Sequence, residues 1–214
     1  MKKNVIAALL LGATVLPALQ GCFPMVAAGV TTGVLATMDR RSLGTQTEDE
    51  SIEWKASSRV GDKLGDKAHL NFTSFNRKVL MTGEVPSSLD KAEAERIVTG
   101  ITNVQGVYNE LAVGPVSSYS ERSNDSFITS KVKSRSVDSG KFNPVHVKVV
   151  TEAGVVFLLG MVTQPEADSA IGVARTTAGV KKVVNLLEII TPAQARELDL
   201  TQSSNGKPTA VKAP

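Results

Sequence analysis

Residues 69–85 read HLNFTSFNRKVLMTGEV, and residues 146–162 read HVKVVTEAGVVFLLGMV. At a spacing of 77, His69 meets His146, Val79 meets Val156, Leu80 meets Phe157, Gly83 meets Gly160 and Val85 meets Val162. Outside these stretches the match continues at a spacing of 76. Ile52, Lys55 and Arg59 meet Ile128, Lys131 and Arg135, and Val104, Val107 and Asn109 meet Val180, Val183 and Asn185. A match held in register this far means two copies of one small fold.

Each stretch is a hairpin. Asn76-Arg77 and Ala153-Gly154 supply turns that accept positive φ, between expected strands 69–75 and 78–85 in one copy and 145–151 and 155–162 in the other. The run Val155-Val156-Phe157-Leu158-Leu159 is apolar without alternation, which suits a central strand. A helix precedes each hairpin, with Ile52, Ala56 and Val60, or Ile128 and Val132, on one face. A second helix follows. In the second copy Thr163-Gln164-Pro165-Glu166 has the pattern of a capping box, and Ile171, Ala174 and Ala178 form the buried stripe. Final strands are expected over 106–113 and 182–190. The fold class is therefore α+β: two tandem α-β-β-α-β modules, each a three-stranded sheet with two helices packed on one face. The modules span 46–116 and 121–191 and join near 114–124, where Gly114-Pro115 is followed by Ser117, Ser118 and Ser120. Residues 192–214 lose the pattern and are expected to form a frayed helix, then a disordered tail.

The N-terminus carries a different message. Lys2 and Lys3 precede a short apolar run, Val5 to Leu11, and Leu19-Gln20-Gly21-Cys22 follows. Residues 1–21 read as a secretory signal, and the apolar part is short for a membrane span. Leu19 to Cys22 resembles a bacterial lipobox, in which Cys22 is lipidated. A plain cleaved signal with a free thiol nearby is the alternative, but the only Cys of the chain stands at the place a lipobox needs it. Acyl chains of roughly 14 methylenes, at ~0.8 kcal/mol each, anchor such a protein permanently. Phe23-Pro24 after the Cys, with no Asp, resembles lipoproteins sent to the outer membrane. Residues 22–45 read as a lipidated tether. The irregular stretch 23–48, about 26 residues, has a coil reach of roughly 28 Å.

Composition removes several function classes. One Cys excludes a disulfide framework and a Cys-built zinc site, and two His among 214 residues exclude a three-His metal site. The net charge of +3 falls to +1 without Lys2 and Lys3, which argues against a nucleic-acid partner. No nucleophile elbow or Gly-rich phosphate loop is present. His69 and His146 are explained by duplication, and Asp62 and Asp66 by a solvated helix face. The sequence gives no reason to expect an enzyme, a metal or a cofactor.

The α-β-β-α-β order, the central Gly83 and Gly160, and the Val-x-x-Val-x-Asn endings resemble BON domains. A lipobox followed by two such modules is similar to the dual-BON outer-membrane lipoproteins. Arg41-Ser42-Leu43-Gly44-Thr45-Gln46 and Asn124 to Val132 resemble stretches found at those places in that family, although its members often carry Trp where this chain has Phe127. The resemblance implies an outer-membrane, lipid-anchored protein facing the periplasm. It implies binding of an anionic phospholipid membrane through the second module, a role in outer-membrane integrity, and enrichment at division sites. The alternative function is a periplasmic adaptor for proteins of outer-membrane assembly, division or cell-wall enzyme regulation.

The residues bear on the lipid reading directly. The first module holds 8 basic and 11 acidic residues, the second 9 and 7, so only the second suits an anionic surface. Lys131, Lys133, Arg135 and Lys141 cluster on or just after its first helix. On that helix Phe127 falls about 120° from the buried direction, beside Lys131. Such a ring either inserts at a membrane interface with Lys131, Lys133 and Arg135 facing phosphate, or packs under the preceding loop or against the other module. Trp54, nearly opposite the Ile52-Ala56-Val60 face and among acidic residues, is expected to pack between the modules.

Overall fold

The computed structural model describes residues 39–205. The signal segment, Cys22 and most of the tether lie outside the described residues. The first module runs α1 (Leu43–Leu64), β1 (His69–Phe75), β2 (Lys78–Val85), α2 (Ser88–Thr99), β3 (Gly106–Asn109) and a short β4 (Ala112–Val113). The second runs α3 (Tyr119–Ser139), β5 (Val147–Glu152), β6 (Val155–Val162), α4 (Gln164–Arg175) and β7 (Lys182–Ile189), followed by α5 (Pro192–Asn205). This is the α-β-β-α-β order twice over. No helix among the described residues is long and apolar enough to cross a membrane.

In each module the hairpin's second strand is central. β2 pairs antiparallel with β1 and parallel with β3 and β4, and β6 pairs antiparallel with β5 and parallel with β7. Asn76 and Arg77 take φ of 51° and 63°, and Ala153 and Gly154 take 51° and 79°, the double positive pattern of a tight two-residue hairpin. Gly83 and Gly160 are required by close approach. A Cβ on Gly83 would lie 2.0 Å from the His69 carbonyl oxygen, and one on Gly160 would lie 2.2 Å from that of His146. Asn109 and Asn185 end the repeat because each side-chain oxygen accepts the N–H two residues on, from Leu111 and Leu187.

Three cores hold the body. Ile52, Ala56 and Val60 of α1 pack with Val79, Met81 and Val85 of β2 and with Ala94 and Val98 of α2. Ile128 and Val132 of α3 do the same with Val156, Leu158 and Val162 of β6 and with Ala170 and Ala174 of α4. The third core joins the modules: Phe75 and Leu80 of one sheet pack with Phe157 and Leu159 of the other, ringed by Tyr108, Val150 and Val184. The order of layers is helix, sheet, sheet, helix. β6 lacks alternation because it buries both faces, one under its own helices and one against the other sheet. Around the third core, Asn71 donates to Glu152 at 3.0 Å, Lys148 to Glu53 at 2.9 Å and Asn76 to Glu188 at 3.1 Å.

This arrangement changes three sequence expectations. Trp54 does not pack between the modules: sheets, not first helices, form that surface, and Trp54 is 72% exposed. The ordered body begins inside the stretch read as tether. Ser42 caps α1 by accepting from the Thr45 N–H, and Arg41 bonds Asp39 and Asp49 beneath it. The helix expected at the start of the C-terminal segment is present as α5, but it is packed on the body instead of frayed, with Ala195 buried. It is held by Arg40, whose guanidinium reaches Glu166 and Asp199 at 2.9 Å each and donates to the Met161 carbonyl.

Candidate functional site

The start of α3 is fixed by Ser118. It accepts from the Glu121 N–H while Glu121 accepts from the Ser118 N–H, closing a capping box. The rotation of α3 is fixed by Asp125, which is buried. Its two oxygens accept the Ala153 and Gly154 N–H groups of the hairpin turn, both at 2.8 Å. Asp49 does the same for Asn76 and Arg77 in the first module, at 2.9 and 2.7 Å. A turn with both central residues at positive φ turns its amides away from the ladder, and a carboxylate from the neighbouring helix satisfies them. The two aspartates stand 76 apart, in the register of the repeat. The sequence thus carried their signal, since the repeat aligns Asp49 with Asp125.

With Asp125, Ile128 and Val132 turned inward, Phe127 is turned out. It is 62% exposed, and the Lys131 Nζ sits 4.6 Å from its ring centroid. Lys131 also donates to the Ala178 carbonyl. Arg135, one turn on, donates to Thr177 Oγ1 at 2.7 Å, to Thr176 Oγ1 at 3.1 Å and to the Val173 carbonyl at 3.2 Å. Both cations are therefore posted at the C-terminal end of α4, where exposed carbonyls favour positive charge. The Ala178 bond leaves the Lys131 head beside the aromatic ring, while Arg135 is held on α4 two turns beyond Phe127. A shallow groove of about 340 Å³ lies between α3 and the end of α4, floored by Lys131, Ser134, Arg135 and Thr176–Ala178.

Of the residues singled out, Phe127 and Lys131 meet, and Lys131 and Arg135 share the groove at the end of α4. Lys133 does neither: six positions from Phe127, it leaves the helix about 120° away and is solvent-exposed. Two exposed side chains join the outward face of α3. Tyr119, at its start, stacks with Arg122 at 4.5 Å, and Val137 is exposed near its end. Helical periodicity also puts Val137 on this face, about 80° from Phe127, and the sequence reading passed over it.

A second charged site lies at the far end of α4. Glu166 closes the capping box with Thr163 and also receives Arg40. Burial would raise its pKa, but the Arg40 hydrogen bond and charge, with the Thr163 N–H and hydroxyl, outweigh it and hold the carboxyl at about 2. His146 is buried between the partners, 3.8 Å from Glu166 and from Asp199. One guanidinium, one imidazole and two carboxylates, on an N-terminal strap, a sheet end, α4 and α5, make a structural lock. Among the described residues no group of three or more His, Cys, Asp or Glu could hold a metal.

Comparison with known proteins gives the same architecture. The BON domain family matches residues 49–115 and 124–191. The chain is 40% identical over 185 residues to the outer membrane lipoprotein DolP of Haemophilus influenzae, covering 86% of this chain and 95% of that one. It is 34% identical over 155 residues to a 21 kDa hemolysin of Actinobacillus pleuropneumoniae, covering 72% and 80%. Against the osmotically-inducible protein Y of Escherichia coli it is 29% identical over 153 residues, covering 68% and 75%.

Proposed function

Since this chain belongs to the BON-domain family and carries the module twice, we propose that it is an outer-membrane lipoprotein, anchored through acylated Cys22 and facing the periplasm. In this reading its second module binds anionic phospholipid and supports outer-membrane integrity, including at division sites. The anchor rests on the position of the sole Cys and on the 40% identity to a relative named as an outer membrane lipoprotein.

The observation that carries the lipid reading is the exposed Phe127 with the Lys131 ammonium beside its ring. A large ring facing solvent on an outer helix contributes nothing to the core. Moved into the headgroup region it leaves water, at ~25 cal/mol per Å² of apolar surface. Lys131 then lies at headgroup depth, and Lys131 and Arg135 keep donors for phosphate beyond those spent on α4. Lys133 sits to the side and adds to the field rather than to the contact. Each cation near an anionic surface is worth about 1 kcal/mol, so the charges bring the module to the membrane and the ring holds it. Tyr119 and Val137 lengthen the same face. No chemical step is involved, and no cofactor enters.

The test is flotation of the protein with vesicles of phosphatidylglycerol and phosphatidylcholine against vesicles of phosphatidylcholine alone. Binding should require the anionic lipid, weaken with salt, and fall for Phe127→Ala. Equal binding to both vesicles, or none to either, would contradict the reading.

A further inference from the structure

Trp54 is the largest exposed apolar side chain of the first module, and the lipid reading leaves it unused. At about 100° per residue, the residues around it on the outer face of α1 are Leu43, also exposed, with Thr47, Ser58 and Gly61. Glu50, solvent-exposed, is the one charged residue within about 60° of the ring. The face is thus an indole with a carboxylate one turn before it. The outer face of α3 is its counterpart: a phenyl ring with an ammonium one turn after it, Phe127 and Lys131.

The two offsets are four residues each, about 6 Å along a helix, and run in opposite senses. In an antiparallel pair of α1 and α3, Glu50 therefore meets Lys131 in the same register in which Trp54 meets Phe127. The helices have 22 and 21 residues, and antiparallel pairing sets opposite dipole ends together. The module charges, 8 basic to 11 acidic against 9 to 7, add attraction of the same sign. Within one chain the faces cannot meet, because α1 and α3 form the two outermost layers.

We propose that the α1 face of one copy docks antiparallel on the α3 face of a second copy, by stacking Trp54 on Phe127 and pairing Glu50 with Lys131. The two faces point away from each other, so the contact is head-to-tail and builds open chains rather than closed dimers. Its area is small, and association between dilute molecules is weak. Copies confined to one membrane surface meet at a far higher effective concentration. The α3 face serves either a neighbour or a membrane at one time, but the proposal stands on the two ring-and-charge faces and not on the lipid reading.

Thr47 and Ser134, both exposed, fall opposite each other in this register. Full-length chains carrying Thr47→Cys and Ser134→Cys, with different tags, are co-expressed and mildly oxidised in intact cells. Mixed disulfide dimers should exceed like pairs of either chain. Glu50→Lys in the Thr47→Cys chain should cut the mixed product about tenfold, the ratio for ~1.4 kcal/mol. Lys131→Glu in the other chain should do likewise, and the two changes together should restore it. Mixed dimers no more abundant than like pairs, or indifferent to Glu50→Lys, overturn the proposal. Restored crosslinking by the swapped pair, with vesicle binding lost through Lys131→Glu, separates this contact from the lipid site.

Discussion

Two phenylalanines in the second module test the layer order. Phe157 is 3% exposed between the sheets, and Phe127 is 62% exposed on α3. Phe157→Ala opens a cavity where the sheets meet, and neither backbone can close it without breaking strand pairs to β5 and β7. Loss of a buried Phe costs about 3–5 kcal/mol. For a body of this size 1 kcal/mol moves Tm by roughly 2–4 °C, so the melting temperature should fall by about 6–20 °C. Phe127→Ala removes the same atoms from solvent and should stay within about 0.5 kcal/mol. The assay is thermal unfolding followed by circular dichroism and by Trp54 fluorescence, which reports on the first module. Because the third core is shared, Phe157→Ala should shift both signals, although the mutation lies in the second module. A shift in circular dichroism with the Trp54 transition unmoved would mean that the modules do not share a core, and the account of β6 would be wrong.

Three further outcomes follow from the same geometry. Arg40→Ala strands Glu166 without its cation and frees α5; it should cost about 2–4 kcal/mol, since Asp199 is half-exposed while Glu166 is not, and should expose residues 192–205 to protease first. Glu166 has its folded pKa lowered to about 2 from 4.5, so its contribution is complete above about pH 4.5 and is lost as pH falls toward 2; the stability gap between wild type and Glu166→Gln should close over that window, and a gap constant with pH would refute the pairing. Gly160→Ala places a methyl 2.2 Å from the His146 carbonyl and should cost ~1–3 kcal/mol or more in denaturant unfolding; a change below about 0.5 kcal/mol would show that the strands are not that close.

The repeat made the modules legible because duplication fixes register, and a hairpin's turn residues and alternation are local. The central place of β6 was readable from its unbroken apolar run. The partner of its second face was not, because Phe157 and Leu159 say only that something covers them. Trp54 was misplaced for that reason: a ring off its own helix face has no local signal telling a module contact from solvent. Arg40 and Asp199 are 159 positions apart, and no periodicity links residues joined by a salt bridge at such a distance. The capping box of Thr163 and Glu166 was visible as a pattern, whereas the second duty of Glu166 depended on where the strap passes. For the site, Phe127 and Lys131 followed from helical spacing, but the placing of Lys131 and Arg135 on α4 required the tertiary fold. Lys133 shows the limit of grouping by sequence proximity, since two residues along a helix turn the side chain by about 200°.

The most direct test is a titration of wild type, Phe127→Ala and Phe127→Trp with phosphatidylglycerol vesicles, with a melt of each same sample. The account predicts near-identical melts, binding weakened by ~1–2 kcal/mol for Phe127→Ala, and binding preserved or strengthened for Phe127→Trp, since indole suits the interface. Wild-type affinity in Phe127→Ala at an unchanged melting temperature would contradict it.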